Sequence, residues 1–232
     1  MTKRIAIVPA RGGSKRIPHK NIRDFCGKPI ISYILDAARE SGLFDKIHVS
    51  TDSPEIVDIV QTLGFTVDFM RPKELADDVT PIMPVLKYVI EEYKKSGNQF
   101  DEVWLMMPCA PLISSADLHA ASRTQLRKNQ SLQCIVEYPV PIEWAYEKSE
   151  NNELVPVYPG MFAIRSQDLG KKYFDAGAFY VYPYNSVLNS TGPGSNNDYL
   201  GFLLPKNKVI DIDDEEDWKI AEALYQALVS RN

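Results

Sequence analysis

The pattern of apolar and polar positions divides the chain into alternating short strands and helices. Ile5-Ala6-Ile7-Val8 is an apolar, mostly β-branched run closed by Pro9, the pattern of a strand buried on both faces. After a polar loop, a helical pattern opens at Pro29, runs to about Ser41 and stops at Gly42. Lys46 to Ser50 reads as a strand, Pro54 to Leu63 as a helix stopped by Gly64, and Thr66 to Met70 as a short strand. Pro84 to Ser96 is expected to be a helix with Gly97 beyond its end, Val103 to Met107 a central buried strand, and Ser114 to Lys128 the helix after it. Strand-like runs return at Ala178 to Tyr182, Leu200 to Leu204 and Val209 to Ile212, and Asp214 to Val229 closes the chain as an amphipathic helix.

Strands that alternate with helices are joined by right-handed crossovers, so the expectation is an α/β fold with a doubly wound, mostly parallel sheet. In such sheets ligands sit at the carboxyl ends of the strands. Residues 138–175 break the alternation: prolines at 139, 141, 156 and 159 and the polar run Ser149-Glu150-Asn151-Asn152-Glu153 read as an arm leaving a single domain of residues 1–232. The arm carries Tyr138, Ile142, Trp144, Tyr146, Tyr158, Met161 and Phe162, too apolar for a free loop, and a symmetric partner is the expected cover. The segment Asn189 to Asn197 reads as a small polar loop.

Composition narrows the function classes. The 232 residues are 44% hydrophobic and 25% charged, with a net charge of −5, which speaks against nucleic acid and anionic membrane as partners. No apolar run reaches the roughly 18 residues of a membrane span. The first residues enter the first strand without signal-peptide architecture, so a cytoplasmic location is expected. Cys26, Cys109 and Cys134 are widely spaced and show no metal-like pairing.

Against that acidic background, Arg11-Gly12-Gly13-Ser14-Lys15-Arg16-Ile17-Pro18-His19-Lys20-Asn21 stands out directly after the first strand. Its cations Arg11, Lys15, Arg16 and Lys20 suit a polyphosphate, and Gly12 and Gly13 let backbone N–H groups approach one closely. A solvated surface loop is the plainer alternative, but the position after strand one favours phosphate binding. The spacings G-x-x-x-x-G-K-[ST] and G-x-G-x-x-G are both absent, which argues against a P-loop kinase and against a dinucleotide enzyme. Near the other end, Val209-Ile210-Asp211-Ile212-Asp213 alternates so that Asp211 and Asp213 share one face. Two such carboxylates at a strand end make a hard oxygen site suited to Mg²⁺, while Asp214 is expected to cap the last helix. Asp52, after the second strand, reads as the cap of the helix that follows.

The run PARGGSKRIPHKN resembles the signature loop of the sugar-acid, or nonulosonic acid, cytidylyltransferases, and the likeness extends along most of the chain. The resemblance implies a Rossmann-like nucleotidyltransferase fold with a dimerisation arm. It implies that Arg11, Lys15 and Lys20 contact the triphosphate of CTP, with Gly12, Gly13, Ser14 and Asn21 beside the nucleotide. Arg71-Pro72-Lys73-Glu74-Leu75-Ala76-Asp77-Asp78 resembles the family's RPxELAxD segment, which adds Arg71 and Asp77 to the nucleotide site; a surface ion pair is the plainer reading of Arg71. The acidic pair Asp211 and Asp213 is implied to hold the catalytic magnesium. Arg11, Lys20 and Asp211 are then the residues closest to the chemistry, in-line attack of a sugar hydroxyl on the α-phosphorus with loss of pyrophosphate.

Met107-Pro108-Cys109-Ala110-Pro111 resembles the family's QPTSP segment, but Met107 stands where sialic acid synthetases carry glutamine, which argues against N-acetylneuraminic acid as substrate. Cys109 is expected to be a small packing residue. Tyr138 to Ala145, Arg165 to Leu169 and Tyr173 to Tyr180 resemble the corresponding segments of the family's pseudaminic acid branch. That points to Gln167, Arg165, Tyr173, Asp175 and Phe179 as sugar-binding residues, with Gln167 and Tyr173 serving the partner subunit of a homodimer. The expected reaction is CTP plus pseudaminic acid to CMP-pseudaminic acid plus pyrophosphate; sialic, legionaminic and Kdo-type acids are the alternative substrates. A nucleotide-sugar glycosyltransferase is the more distant alternative, since a diphosphate needs fewer cations in the first loop. A nucleotide sensor that has lost catalysis is disfavoured because Lys20 and the acidic pair are all kept.

Overall fold

A computed structural model of the chain describes residues 2–124, 130–191 and 198–230. Chain order is β1 (Arg4–Pro9), β2 (Asp24–Phe25), β3 (Lys28–Pro29), α1 (Ile31–Ser41), β4 (Lys46–Ser50), α2 (Pro54–Thr62), α3 (Ile82–Lys95), β5 (Glu102–Met106) and α4 (Ser115–Ser122). There follow β6 (Ser131–Glu137), β7 (Tyr146–Lys148), β8 (Leu154–Pro156), β9 (Tyr173–Pro183), α5 (Tyr184–Leu188), β10 (Tyr199–Leu203) and α6 (Glu215–Val229). Six strands form one sheet in the order β10-β6-β9-β5-β1-β4. Strand β1 runs parallel to β4 and β5, and β10 parallel to β6, while β9 lies antiparallel between β5 and β6. The sheet is therefore mostly parallel, as the alternation predicted.

Helices cover both faces. On one side Ile31, Ile34 and Leu35 of α1 and Leu118 of α4 pack on Val8, Trp104 and Phe179 of the sheet. On the other, Leu86, Val89 and Ile90 of α3 pack on Ile5, Ile7 and Leu105. The strands alternate between these two cores, which is why β1 and β5 are apolar after their first residues, Arg4 and Glu102. A third cluster lies outside both: Ile17, Phe25, Ile30 and Tyr33 meet Ile212 and Trp218. It clamps the start of α6 against the loop after β1.

Several boundaries differ from the sequence reading. Residues 66–70 form no strand, because β4 is the edge of the sheet and side chains hold this segment instead. Asp68 accepts from Tyr93 at 2.6 Å and Lys46 at 2.5 Å, and Phe69 stacks on His48 with ring centroids 4.5 Å apart. Residues 209–213 are extended but unpaired, because Pro205 and the turn Lys206–Lys208 carry the chain off the sheet after β10. The helix expected to reach Lys128 ends at Ser122 among the described residues, and 125–129 and 192–197 lie outside them. Strand β6 and helix α5 had no counterpart in the sequence reading. Strand β9 is longer than expected and shifts register against β6 between Gln133 and Ile135, with Gly177 at φ 61, a left-handed conformation glycine adopts without strain.

The arm, residues 138–175, leaves between β6 and β9. It holds the antiparallel pair β7–β8 and a small aromatic stack in which Phe162 lies 5.9 Å from Trp144 and 4.7 Å from Tyr146.

Candidate active site

A cavity of about 350 Å³ opens at the carboxyl ends of β1 and β5. The loop after β1 forms one wall, with Arg11, Ser14, Lys15, Arg16 and Lys20 all facing the space. Asp211 and Asp213 line the same cavity, as do Arg71, Asp77 and Asp78. The loop's course is set by backbone supports. Gly12 N–H donates to Asp52 Oδ1 at 3.0 Å, and the buried Asn21 donates from Nδ2 to the carbonyl of Arg11 at 3.0 Å. The Oδ1 of Asn21 in turn accepts from the Cys109 thiol at 3.4 Å. A Cβ on Gly12 would stand 3.0 Å from the Cβ of Ser53, a tight contact that Ser53 would have to relieve by a small shift, whereas a Cβ on Gly13 would meet nothing within 4 Å. Asp52 therefore props the loop and does not cap α2, whose N-cap is Ser53.

The acidic segment is tied to the loop from the other side. Lys20 Nζ donates to the carbonyl of Ile212 and lies 3.9 Å from Asp213. Arg16 pairs with Asp213 at 2.7 Å. Asp217, inside the first turn of α6, accepts the amides of Asp213 at 2.9 Å and Asp214 at 3.2 Å, and Asp214 caps the helix as the sequence predicted. Burial first, and then the neighbouring Asp213, push the Asp211 carboxyl above the usual carboxylate range.

Arg71 is no surface ion pair. It is 6% exposed, donates from Nε to Ser50 Oγ at 3.0 Å and from Nη2 to the Ser50 carbonyl at 2.6 Å, and burial pushes its pKa down to about 10. A buried guanidinium held on neutral oxygens at a cavity wall leaves positive charge available to an anion. Asp77, expected beside the nucleotide, spends its carboxylate on its own turn, accepting from Val79 N at 3.0 Å and Thr80 N at 2.6 Å. The next residue, Asp78, reaches the loop cations: Oδ1 lies 2.6 Å from Arg11 Nη1 and Oδ2 2.5 Å from Lys15 Nζ. Those two partners, Lys15 first, hold its carboxyl below the usual range.

This geometry, a cationic loop after β1 and an acidic pair lining one cavity, accompanies likeness to known proteins along nearly the whole chain. A cytidylyltransferase family model matches residues 5–154. The chain belongs to the cytidylyltransferases. It is 38% identical over 226 residues to a pseudaminic acid cytidylyltransferase of Campylobacter jejuni, covering 97% of each chain. To a CMP-N,N'-diacetyllegionaminic acid synthase of Legionella pneumophila it is 27% identical over 96% of each chain. Among solved structures, a CMP-2-keto-3-deoxy-manno-octonic acid synthetase complexed with CTP shares the fold, with a TM-score of 0.67, 17% identity and coverage of 98% of this chain and 100% of that one.

Within this cytidylyltransferase fold the sugar-binding expectations divide. Phe179 is fully buried, stacked 5.8 Å from Trp104 in the core, and has no surface to offer a ligand; the aromatic pattern of β9 alternates, and Phe179 falls on its inward face. Asp175 accepts from the Tyr180 hydroxyl and, at 2.9 Å, from Gly177 N–H. Arg165 pairs with Asp168 at 2.8 Å, and Gln167 and Tyr173 are exposed. Arg165, Gln167, Tyr173 and Asp175 do not line the cavity that the basic loop and acidic pair share. Met107 and Cys109 do line it, and burial pushes the thiol of Cys109 up to about 12. The sequence reading gave Asp52 only a capping role and did not single out Asp78 or Asp217.

Proposed function

We propose that the chain transfers the cytidylyl group of CTP to pseudaminic acid, giving CMP-pseudaminic acid and pyrophosphate. The observation that carries this is the convergence of Arg11, Lys15, Arg16 and Lys20 with Asp211 and Asp213 on one cavity at the end of β1. The choice of sugar is supported by the 38% identity to the Campylobacter relative over nearly all of both chains. The sugar's anomeric hydroxyl attacks the α-phosphorus in line. An oxygen–phosphorus bond forms to the sugar, the bond to the bridging oxygen breaks, pyrophosphate leaves with the electron pair, and the hydroxyl proton passes to solvent. Arg11, Lys15 and Lys20 neutralise the triphosphate and the leaving group, and Arg71 adds fixed positive charge beneath it. No protein nucleophile is required.

Asp211 and Asp213 fit Mg²⁺. They are two hard oxygen donors, with Asp211 raised first by burial and then by Asp213, and Mg²⁺ commonly takes one or two carboxylates with water and phosphate oxygens completing its shell. Bound there, the ion would offset phosphate charge and acidify the attacking hydroxyl.

The working unit is a homodimer whose arm reaches the partner, and Arg165, Gln167, Tyr173 and Asp175 serve the sugar site. Support comes from the arm's uncovered apolar side chains: Val140, Leu154 and Val155 are all more than half exposed, and Tyr146, Tyr158 and Phe162 nearly so. The reaction is assigned to the cytoplasm; no helix among the described residues is long and apolar enough to cross a membrane.

The deciding experiment incubates the enzyme with each nucleoside triphosphate, Mg²⁺ and a panel of nonulosonic acids while pyrophosphate is followed. Release with CTP and pseudaminic acid well above all other pairs is expected. Preference for legionaminic acid, the second reading favoured by the Legionella relative, would move the assignment there, and no release with any sugar would end it.

A further inference from the structure

Two of the cations that face the cavity are already held by an anion of the chain itself. One carboxylate, Asp78, bridges them, its oxygens 2.6 Å from Arg11 Nη1 and 2.5 Å from Lys15 Nζ. It offers two oxygens on a single atom to two separate donors, as a phosphate group would. The presentation is built rather than incidental. Asp77 fixes the turn through the amides of Val79 and Thr80, and Arg11 donates a second bond to the Asp77 carbonyl at 2.8 Å. At the tip of this turn Val79 is 82% exposed, so polar contacts to the basic loop hold the turn and apolar packing does not. The Asp78 side chain itself is 42% exposed, and exposed ion pairs of this kind are each worth only about a few-fold in an equilibrium constant.

We infer that Asp78 is an internal counter-anion: it occupies Arg11 and Lys15 between turnovers, yields them to the triphosphate, and by returning helps pyrophosphate leave. This rests on the assignment of Arg11 and Lys15 as phosphate contacts. A loop of fixed cations binds substrate and leaving group alike, and tight hold on the leaving group slows turnover. A tethered carboxylate that competes for two of those cations lowers affinity for both phosphorylated ligands by the same factor. The latch is weak enough for a polyphosphate to open and close enough to reclose at once.

The test measures binding of pyrophosphate and of CTP by calorimetry, without divalent cations and with chelator, for the wild type, Asp78→Asn and Asp78→Glu. Asp78→Asn keeps shape and removes charge, and it should bind both ligands about threefold to tenfold more tightly, with the advantage shrinking as salt is raised. Asp78→Glu keeps the charge and should stay near the wild type. In steady state, Asp78→Asn should also be inhibited at correspondingly lower pyrophosphate. Affinity in Asp78→Asn equal to or weaker than that of the wild type overturns the latch while leaving the phosphate site standing. A wild type that binds neither ligand overturns the phosphate site and the latch with it. Unchanged melting temperature of the two variants checks that the fold is intact.

Discussion

Lys20 donates its ammonium to the main-chain carbonyl of Ile212, 192 positions away along the chain. This bond joins the loop after β1 to the segment that carries both acidic side chains, and Lys20 lies beside Asp213 as well. Lys20→Ala therefore removes one positive charge and also frees one wall of the cavity from the other. Steady-state kinetics should show kcat/KM for CTP falling by about a hundredfold to a thousandfold, with both kcat and KM affected. Normal CTP kinetics would withdraw Lys20 from the site.

On the proposed assignment of Asp211 to Mg²⁺, Asp211→Ala should cost roughly two to three orders of magnitude in turnover with the fold unchanged, because it would remove a ligand of the ion. Mg²⁺ titration of the residual activity should need far higher metal. Wild-type Mg²⁺ dependence in this variant would dismiss Asp211 as a ligand.

A second titratable group lies outside the residues that line the cavity. His48 on β4 is fully buried, its Nδ1 lies 3.0 Å from the Tyr93 hydroxyl, and burial pushes its pKa down to about 4. Because Tyr93 donates its proton to Asp68, the Nδ1 of His48 must be the donor, which leaves Nε2 as a buried acceptor without a partner. The unfolded chain takes up this proton near pH 6.5, so the contribution is complete above that pH and is lost as pH falls toward 4. The loss amounts to about 3 kcal/mol and levels off below both values. His48→Phe, which removes the titration, should flatten this part of the stability profile in urea unfolding at stepped pH. Equal slopes in both proteins would count against the assignment.

The arm supplies a complementation test. A chain inactivated at Lys20 mixed with one altered at Gln167 should regain activity if one subunit's arm completes the other's sugar site. No recovery, or a fully active monomer in light scattering, would mean that each site is built from a single chain.

Much of the fold was legible because its signals are local. The strand Ile5-Ala6-Ile7-Val8 and the helices stopped by Gly42 and Gly97 are written in periodicity and end residues, and the loop from Arg11 to Asn21 stands out by charge. What escaped was set by contacts distant in sequence. Residues 66–70 have strand composition, but the sheet ends at β4, so side-chain bonds to Lys46 and Tyr93 decide their course. The alternation of residues 209–213 is real, with Ile212 buried between two acids, yet the chain has already left the sheet. Phe179, expected at the sugar, is core, because alternation along β9 points it at Trp104. In the spacing RPxELAxD the final acid falls at Asp78, the one that meets the loop cations, while Asp77 lines the same cavity.

One carboxylate, that of Asp217, serves two masters: it closes the capping box of α6 and holds the amide of Asp213. Fraying of that first helical turn and loosening of the acidic wall are thus a single event. Heat should therefore silence the enzyme before it melts the sheet, and the interval between inactivation and unfolding temperatures becomes a gauge of how firmly the last helix is wound.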